Sequence, residues 1–371
     1  MVTESSSMEH NSAPTTSTKQ RSPQLKSSLR LTLAALASLA AVVSLAGCSS
    51  STDASSTQSA SSSSAGFPVT IGSTLGSTTI TAKPTRVSTV GWTNQDAALS
   101  LGVVPVDMPK VTYGDPDGDG MNTWTKDALK RLGATGSKAP ALHDETDDID
   151  AEAIASSDPD VILGIQSGIS KKQFSTLNKI APTVAYPGLP WGTSWRTVVT
   201  ETAKALGLES KGKTVISSTE KKISAALAQH PSIKGKTASV MYFDTSKLSS
   251  MTVYITTDPR EQYLNDLGLK TPESVKKLSK NETAFYKTIS SENADQFDDV
   301  DIIIVYGDQS TLKALQSDPL LGKIPAIKRG SVVLIDSSSE LSAAVSPSIL
   351  SIPATLSEYT KLIAAAADKV K

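Results

Sequence analysis

Hydrophobic and polar residues alternate with a helical period from residue 211 to residue 231, in the stretch KGKTVISSTEKKISAALAQHP. Its apolar positions fall on one stripe of a helix: Val215, Ile216, Ile223, Ala226 and Leu227. Pro231 ends the pattern, because proline lacks the N–H that a continuing helix needs. The spacing predicts one long helix, which we assign to residues 209–231 as a connector between two halves of the chain.

Short β-branched runs alternate with helical patterns on both sides of this connector. In the first half we predict strands at 86–90, 103–106, 160–164 and 183–186, alternating with helices at 96–101, 124–132 and 170–180. In the second half we predict strands at 237–243, 301–307 and 332–335 and helices at 261–267 and 349–367. Strands that alternate with helices favour parallel sheets. The chain is therefore predicted to be α/β, with lobes at 67–208 and 232–371 around a cleft.

The first 65 residues have a different character. Residues 1–30 are polar and partly basic, and residues 31–47 (LTLAALASLAAVVSLAG) form an apolar run shorter than the roughly 20 residues of a spanning helix. This order is typical of a secretory signal peptide, which we assign to residues 1–47. The following Cys48 is the only cysteine, and the sequence Leu-Ala-Gly-Cys resembles the bacterial lipobox, which implies that Cys48 is lipidated. An uncleaved anchor with an incidental cysteine is the alternative.

Residues 48–66 are almost all Ser, Thr and Ala, which predicts a flexible tether. Export would place the folded part outside the cytoplasmic membrane, and this location argues against a function that needs ATP. Residues 207–214 (GLESKGKT) do fit the phosphate-loop pattern. That chemistry requires a strand before the loop, and the preceding ETAKAL has a helical pattern, so we predict no nucleotide site.

Composition narrows the function further. The formal net charge of −1 gives no bulk attraction to nucleic acid. A single cysteine excludes a disulfide framework within the chain. GxSxG and HExxH motifs are absent from the sequence, so we predict a protein that is not an enzyme and has no cofactor.

Two acidic segments deserve comparison with metal sites. Residues 115–120 (DPDGDG) imitate the start of a calcium-binding EF-hand loop, but the twelfth position, where a bidentate Glu is needed, is Lys126. The loop at 143–148 (HDETDD) combines His143 with four carboxylates, which we weigh as a metal site against a solvated acidic loop. We favour an acidic turn in the first case and a solvated loop in the second, and predict no metal site.

The two halves share an internal repeat. Residues 149–164 (IDAEAIASSDPDVILG) and 289–307 (ISSENADQFDDVDIIIVYG) each place a glutamate, Glu152 or Glu292, in the first turn of a short helix before an Asp-led apolar strand. An acid at that position is favourable to the helix dipole, which is the local explanation.

Together these features resemble the lipoprotein substrate-binding components of ABC importers, of the iron–siderophore and cobalamin type. The resemblance rests on the lipobox and on PTRVSTVGW, IDAEAIASSDPDVILG, LNKIAPTVAYP, DPREQYLNDLGL, ISSENADQFDDVDIIIVYG, DPLLGKIPAIKRGSVVLID and SPSILSIPATL, which cover most of residues 67–371. It implies the class III periplasmic-binding-protein fold, in which two Rossmann-like lobes are joined by one long helix. It also implies a monomer, lipid-anchored to the outer face of the cell membrane, that captures a ferric siderophore and delivers it to an ABC permease for iron uptake.

The resemblance implies roles for particular residues. Glu152 and Glu292 would lie at the tips of the lobes and engage arginines of the permease. The ligand would lie in the cleft, held by aromatic area, hydroxyl donors and a cation or two. Arg260 is the strongest cation candidate and Arg196 a weaker one. The aromatic candidates are Trp92, Tyr113, Trp124, Trp191, Trp195, Tyr242, Tyr254 and Tyr286.

One departure bears on the cargo. Some siderophore binders carry an arginine in the loop before the IDAE-like helix, whereas the loop here is the acidic HDETDD. This favours a hydroxamate or mixed chelate over a strongly anionic tris-catecholate. Haem, cobalamin or another iron chelate bound by the same fold is the alternative cargo, and an exported lipoprotein without a transport function is the alternative class.

Overall fold

The computed structural model describes residues 66–371. The predicted signal peptide, the lipidation site Cys48 and the tether up to residue 65 lie outside the described residues. Within residues 66–371, no helix is both long and apolar enough to cross a membrane. The described part forms two α/β lobes, each built on a five-stranded sheet, as the sequence predicts.

The first lobe combines seven strands and five helices. Its strands are β1 (Val69–Ser73), β2 (Gly76–Ile80), β3 (Val87–Thr89), β4 (Asp107–Pro109), β5 (Ala141–His143), β6 (Val161–Gly164) and β7 (Thr183–Ala185). Its helices are α1 (Asn94–Ser100), α2 (Thr123–Arg131), α3 (Ala151–Ser156), α4 (Lys171–Leu177) and α5 (Trp195–Ala205).

The connecting helix α6 (Glu209–Ala228) leads to the second lobe. The strands there are β8 (Ala238–Tyr242), β9 (Ser250–Tyr254), β10 (Tyr286–Ser290), β11 (Ile302–Tyr306) and β12 (Val332–Ile335). The helices are α7 (Pro259–Asp266), α8 (Glu273–Leu278), α9 (Gln309–Ser317), α10 (Pro325–Arg329), α11 (Glu340–Ala344) and α12 (Ser351–Ala367).

The main sheet of the first lobe is parallel throughout, in the order β5-β4-β3-β6-β7. The order reverses between β3 and β6, because the chain leaves β3 towards one edge and returns to the other side of β3 with β6. Open α/β sheets bind ligands at the carboxyl ends of the strands where the order reverses. The loops after β3 and β6 are therefore where the fold favours a ligand.

The second sheet, in the order β10-β9-β8-β11-β12, is mixed rather than wholly parallel. Strands β8, β11 and β12 run parallel, but β9 and β10 are antiparallel to their neighbours. A connection as short as residues 243–249 permits only an antiparallel return from β8 to β9, since a parallel crossover takes a dozen or more residues. The second lobe thus repeats the parallel logic of the first only in part.

The first lobe differs from the sequence predictions at two places. The hairpin β1–β2 is absent from those predictions, and residues 103–106, predicted as a strand, are irregular, with β4 starting at Asp107. That first strand residue is a buried aspartate whose carboxylate accepts a hydrogen bond from Ser88 Oγ at 2.7 Å. A buried polar side chain that finds its partner across the sheet is invisible to an apolar pattern.

Helix α6 forms close to the predicted range. Ile223 is buried, and the other apolar residues of the predicted stripe are half-buried against α5 and α12. The helix ends at Ala228, and Pro231 opens a short 3₁₀ turn after it. The residues before Gly207 belong to α5, so the GxxxxGKT segment joins two helices and lacks the strand that a phosphate loop requires.

The lobes are also joined by the chain after β12. Glu340 in α11 accepts a hydrogen bond from the backbone N–H of Thr123 at 2.8 Å, and Ser348 donates to the buried Asp96 of the first lobe. The largest apolar cluster includes strands of both sheets as well as α5, α6 and α12. The cleft therefore lies beside a packed connection, which restricts how far the lobes separate.

A buried carboxyl in the second lobe should make the stability of the fold depend on pH. Glu261, in α7, accepts hydrogen bonds from Val240 N at 2.6 Å and Ser239 Oγ at 3.0 Å, while its second oxygen has no partner. Burial raises the pKa of Glu261 from 4.5 to about 8. The folded state keeps this proton up to about pH 8, whereas the unfolded chain releases it near 4.5, so the carboxyl lowers stability progressively as pH rises between these values.

We expect Glu261→Gln to remove much of this dependence, because glutamine resembles the protonated acid. Between pH 5 and 8 the wild-type free energy of unfolding should fall by roughly 3 to 4 kcal/mol more than that of the variant. Urea unfolding at both pH values measures the difference. Glu358→Gln, an exposed position on α12, is the control and should follow the wild type. An equal change of unfolding free energy with pH in the wild type and in Glu261→Gln would contradict a raised pKa for Glu261 in the folded protein.

Candidate functional site

The loops after β3 and β6 are held together by one buried amide. Asn94 donates from Nδ2 to the carbonyl of Val90 at 2.7 Å and to that of Gln166 at 3.0 Å, and its Oδ1 accepts from the Gln166 N–H at 3.1 Å. A further bond joins Trp92 N to the Gln166 carbonyl at 2.9 Å. The carboxyl ends of β3 and β6 thus form one rigid floor, at the place that the strand order favours.

Three cavities open on this floor, with volumes of about 170, 140 and 140 Å³. Trp191 lines all three, and Trp92 lines the first and the third. Trp191 is 38% exposed and has a left-handed backbone (φ 60°). Its backbone N–H donates a hydrogen bond to the Ser167 carbonyl at 2.9 Å, which fixes the residue. The Nε1 of Trp92 is buried and has no partner among residues 66–371. The adjoining cavities therefore form one cleft organised by two indoles.

The second lobe contributes a cation to this cleft. The Arg260 guanidinium lies 3.6 Å from the centre of the Tyr254 ring and forms a two-pronged ion pair with Asp258, at 2.8 and 2.7 Å. Arg260 and Asp258 line the third cavity beside Phe285. Because Asp258 balances the charge, the guanidinium offers directed N–H donors rather than a strong positive field.

Phenol groups accompany this arginine. Burial raises the pKa of Tyr306 to about 12 and also raises that of Tyr254, so both hydroxyls stay protonated and remain hydrogen-bond donors at neutral pH. Tyr113, from the first lobe, is exposed and lies close enough to contribute to the raised pKa of both phenols. These three tyrosines bring hydroxyl donors from both lobes to one region.

The opposite wall contains a buried carboxyl. Asp96 accepts hydrogen bonds from Trp124 Nε1 at 2.9 Å, from Thr125 Oγ1 at 2.8 Å and from Ser348 Oγ. Burial raises its pKa to about 6, against the opposing effect of these bonds. Asp96 therefore ties Trp124 and the C-terminal segment to the wall of the first cavity.

A second carboxylate lies between the first and second cavities. Glu145 accepts hydrogen bonds from the Gly91 N–H at 2.9 and 3.1 Å, and its Oε1 lies 3.1 Å from His143 Nε2. His143 Nδ1 lies 3.0 Å from Asp107, though out of line for a hydrogen bond. Burial alone would lower the pKa of His143, but the two flanking carboxylates outweigh it and raise the pKa to about 9. His143 is thus an imidazolium ion paired on both sides.

The structure brings together four of the predicted ligand residues as cavity-lining side chains: Trp92, Trp124, Trp191 and Arg260. Tyr254 adjoins them, stacked against the Arg260 guanidinium, and Tyr113 lies on the side of Tyr254. Trp124 is largely buried and offers the cleft little surface.

Four predicted ligand residues lie elsewhere. Trp195 is buried, its Nε1 donates to Asp266 at 2.9 Å, and Arg196 stacks on its ring while pairing with Asp266 and Glu220. Tyr242 and Tyr286 are exposed on the second sheet, outside the cavities around Trp191. Trp195 and Arg196 therefore have local structural partners, and Tyr286 packs edge-on against Phe285, which does line the cleft.

Several cleft residues escaped the sequence analysis. The cavities are also lined by Phe285, Lys110 and Gln166, and Tyr306 lies next to Arg260. Tyr306 is the last residue of β11, so its place at a strand end was the signal that pointed to it. Asn94 carried no such signal, because an amide between a strand and a helix is commonly a cap.

A lysine offsets part of the negative charge of the EF-hand-like turn. The Lys126 ammonium lies 2.5 Å from Asp117 and 3.0 Å from Asp119, at the loop position where an EF-hand has its bidentate glutamate. One carboxylate oxygen from each of Asp115, Asp117 and Asp119 lies within 4.8 Å of the other two, close enough to share a metal ion. Lys126, however, already pairs with two of these aspartates.

Glu152 and Glu292 occupy matching positions in the two lobes. Glu152 is exposed in the first turn of α3, whose cap Asp150 accepts from Ala153 N at 2.9 Å. Glu292 is exposed in a 3₁₀ segment (Ser291–Phe297) capped by Ser290. Each therefore presents a free carboxylate at a helix N-terminus.

Gly168 gives a test of the position of Trp191. A methyl group added at Gly168 would lie 2.1 Å from Trp191 Nε1 and 2.5 Å from Cε2, so Gly168→Ala must displace the indole. We expect a shifted tryptophan emission spectrum and about ten-fold weaker cargo binding, equivalent to about 1.4 kcal/mol. Gly188→Ala, where the added methyl meets open space, is the control and should leave both unchanged. Unaltered emission from Gly168→Ala would mean that Trp191 lies elsewhere.

Residues 88–339 match the family described as periplasmic binding protein. Among characterised sequences, the chain is similar to the probable siderophore-binding lipoprotein YfiY of Bacillus subtilis (strain 168), with 30% identity over 230 residues. That match covers 62% of this chain and 65% of YfiY, so the chain spans slightly less than two thirds of that relative.

Among solved structures, the chain is similar to PiaA of Streptococcus pneumoniae TIGR4 in complex with ferrichrome, with 43% identity and a TM-score of 0.78, over 82% of this chain and 100% of PiaA. It is also similar to Staphylococcus aureus SirA complexed with staphyloferrin B, with 23% identity and a TM-score of 0.61, over 81% of this chain and 98% of SirA. The second likeness shows the fold alone.

Proposed function

Because the chain belongs to the periplasmic binding protein family, whose members bind solutes and are not enzymes, we propose that it captures a ferric siderophore in the cleft between its lobes. It then delivers this cargo to an ABC permease for iron uptake. The siderophore is cargo rather than a cofactor. In this role the protein works outside the cytoplasmic membrane, as a monomer held by a lipid on Cys48, with Glu152 and Glu292 docking to the permease.

The observation that carries the proposal is the chemistry of the cleft. Two indoles, Trp92 and Trp191, face a guanidinium stacked on Tyr254, and protonated phenols lie beside it. Such a surface binds a bulky organic chelate through aromatic area and directed donors. The one histidine near the cleft, His143, is paired on both sides, so it is not free to ligate iron. The chelator would fill the coordination sphere of the metal.

The relatives support the same cargo class. YfiY is described as a probable siderophore-binding lipoprotein, and the PiaA structure holds ferrichrome. PiaA is covered over its full length at 43% identity, so its cleft is the better guide. By the same likeness, ferrichrome is the first chelate to test.

Tryptophan fluorescence of the purified full chain tests the proposal. Four ligands are titrated in turn: ferrichrome, then a ferric tris-catecholate, then cobalamin, then haem. A non-binding protein corrects for absorption by the coloured ligands. We expect saturable quenching by at least one ferric chelate and none by the iron-free chelator. A response to haem alone would replace the cargo, and no response across the panel would overturn the proposal.

A further inference from the structure

Glu145 is held as a fixed anion at the floor of the cleft. Both carboxylate oxygens accept from the Gly91 N–H, and Oε1 lies 3.1 Å from the His143 imidazole. Its side chain is nevertheless 18% exposed and lines the first and second cavities. The carboxylate therefore has free lone pairs that face the space in which cargo would lie.

The groups behind Glu145 preserve its negative charge. His143 pairs with Asp107 on its far side, and Asp107 in turn accepts hydrogen bonds from Ser88 Oγ and Ser157 Oγ. The row carboxylate–imidazolium–carboxylate has one net negative charge. Asp107 is buried and accepts two hydrogen bonds, so the carboxylate of this row that faces the cleft is Glu145.

Several groups that line the first two cavities are acceptors, although the Trp92 Nε1 in the first cavity, unpartnered within the described part of the chain, is a donor. Gln95 lines the first cavity, is only 6% exposed, and its Oε1 has no hydrogen-bond partner among residues 66–371. Asp147 and Asp148 line the second cavity beside Glu145. Lys110 is the cation on this wall, while Arg260 across the cleft is balanced by Asp258. An unpartnered buried acceptor and a held carboxylate that line the same cavity favour a ligand that supplies N–H donors.

We propose that Glu145 determines which ferric chelates bind, by accepting hydrogen bonds from N–H or ammonium groups on the outer face of the chelate and repelling anionic ones. His143 is the positioning residue, because it aims the carboxylate and does not itself reach the cargo. This inference rests on the proposed function. It specifies a cargo of ferric tris-hydroxamate type, neutral or positively charged, since three singly charged hydroxamates neutralise Fe(III) whereas three doubly charged catecholates leave a trianion.

A matched pair of ligands isolates the contribution of Glu145. Ferrioxamine B ends in a primary amine, and N-acetylation removes that charge without altering the iron centre. The purified full chain should bind the amine form about ten-fold more tightly than the acetylated form. In Glu145→Gln the ratio should fall to about one, and the affinity for a ferric tris-catecholate should rise, because charge repulsion is removed.

Two further variants separate charge from folding. Glu145→Asp keeps the charge and should retain part of the preference for the amine form, whereas His143→Gln should reduce that preference by freeing the carboxylate to rotate. Asp158→Asn, on a surface away from the cavities, is the control and should behave as wild type. An unchanged amine preference in Glu145→Gln would overturn the inference while leaving the proposed function standing. Failure of the wild type to bind any ferric chelate would overturn both.

Discussion

Replacing both Glu152 and Glu292 by alanine is expected to reduce uptake of the ferric chelate to background while leaving its affinity for the purified protein unchanged. Both glutamates are exposed at capped helix N-termini, one in each lobe, and neither lines a cavity around Trp191. A carboxylate on each lobe suits a two-point contact with permease arginines. Loss of both points should be far more damaging than loss of one.

The measurement is transport of iron-55 as the ferric chelate by cells that express each variant, together with fluorescence titration of the purified proteins. Asp127→Ala combined with Glu358→Ala is the matched control, since it removes two exposed carboxylates at other places on the surface. Normal uptake by the Glu152→Ala, Glu292→Ala double variant would show that the permease docks elsewhere. Reduced uptake by the control as well would point to net charge instead.

The sequence predicts well those parts of the fold that local periodicity determines. The connecting helix, the parallel strands β3, β6 and β7 and the repeat around Glu152 and Glu292 all form close to the expected positions. Long-range pairing decided the remainder. Strand β10 pairs antiparallel with β9 although residues 255–285, including α7 and α8, separate them in the chain. Strand β4 begins at Asp107, whose partners Ser88 and His143 are distant in sequence.

The cleft shows the same division between local and distant information. Trp92 and Trp191 follow strand ends in the sequence, and the fold places both at the switch point. Trp195 is just as aromatic and only four residues from Trp191, but its indole N–H has Asp266 as a partner and turns into the core. Residue type and spacing cannot distinguish such a pair, because the deciding partner lies 71 positions further along the chain.

Apart from Lys110, the cationic groups of the cleft are paired with carboxylates, which constrains the cargo. Arg260 is balanced by Asp258, and His143 by Asp107 and Glu145, so neither cation presents an isolated charge. Long-range attraction of a trianionic chelate is correspondingly weak. Affinity must then come mostly from aromatic contact area and directed hydrogen bonds, and the largest single contributions are expected from the indoles of Trp92 and Trp191 that line the cleft.

Trp92→Ala combined with Trp191→Ala should weaken binding of the ferric chelate about 100-fold. Buried aromatic anchors dominate binding energies, and each indole is expected to contribute about ten-fold, or about 1.4 kcal/mol. Trp191 packs on the cavity side of Gly168 and lines every one of the three cavities, so its loss opens the cleft to water. Trp191 is 38% exposed and its loss should cost the folded state little, whereas Trp92 is half-buried against the apolar core and should account for most of the stability lost.

Isothermal titration calorimetry measures the affinities, since the double variant lacks the two cleft tryptophans whose fluorescence would report binding. Tyr242→Ala is the control: the ring is 46% exposed but lies outside the cavities, so its removal should leave affinity unchanged. A loss of affinity in Tyr242→Ala as large as in the double variant would move the cargo onto the face of the second sheet. Retention of wild-type affinity by the double variant would mean that the cargo does not rest on the indoles, and that the arginine and tyrosines of the second lobe hold it instead.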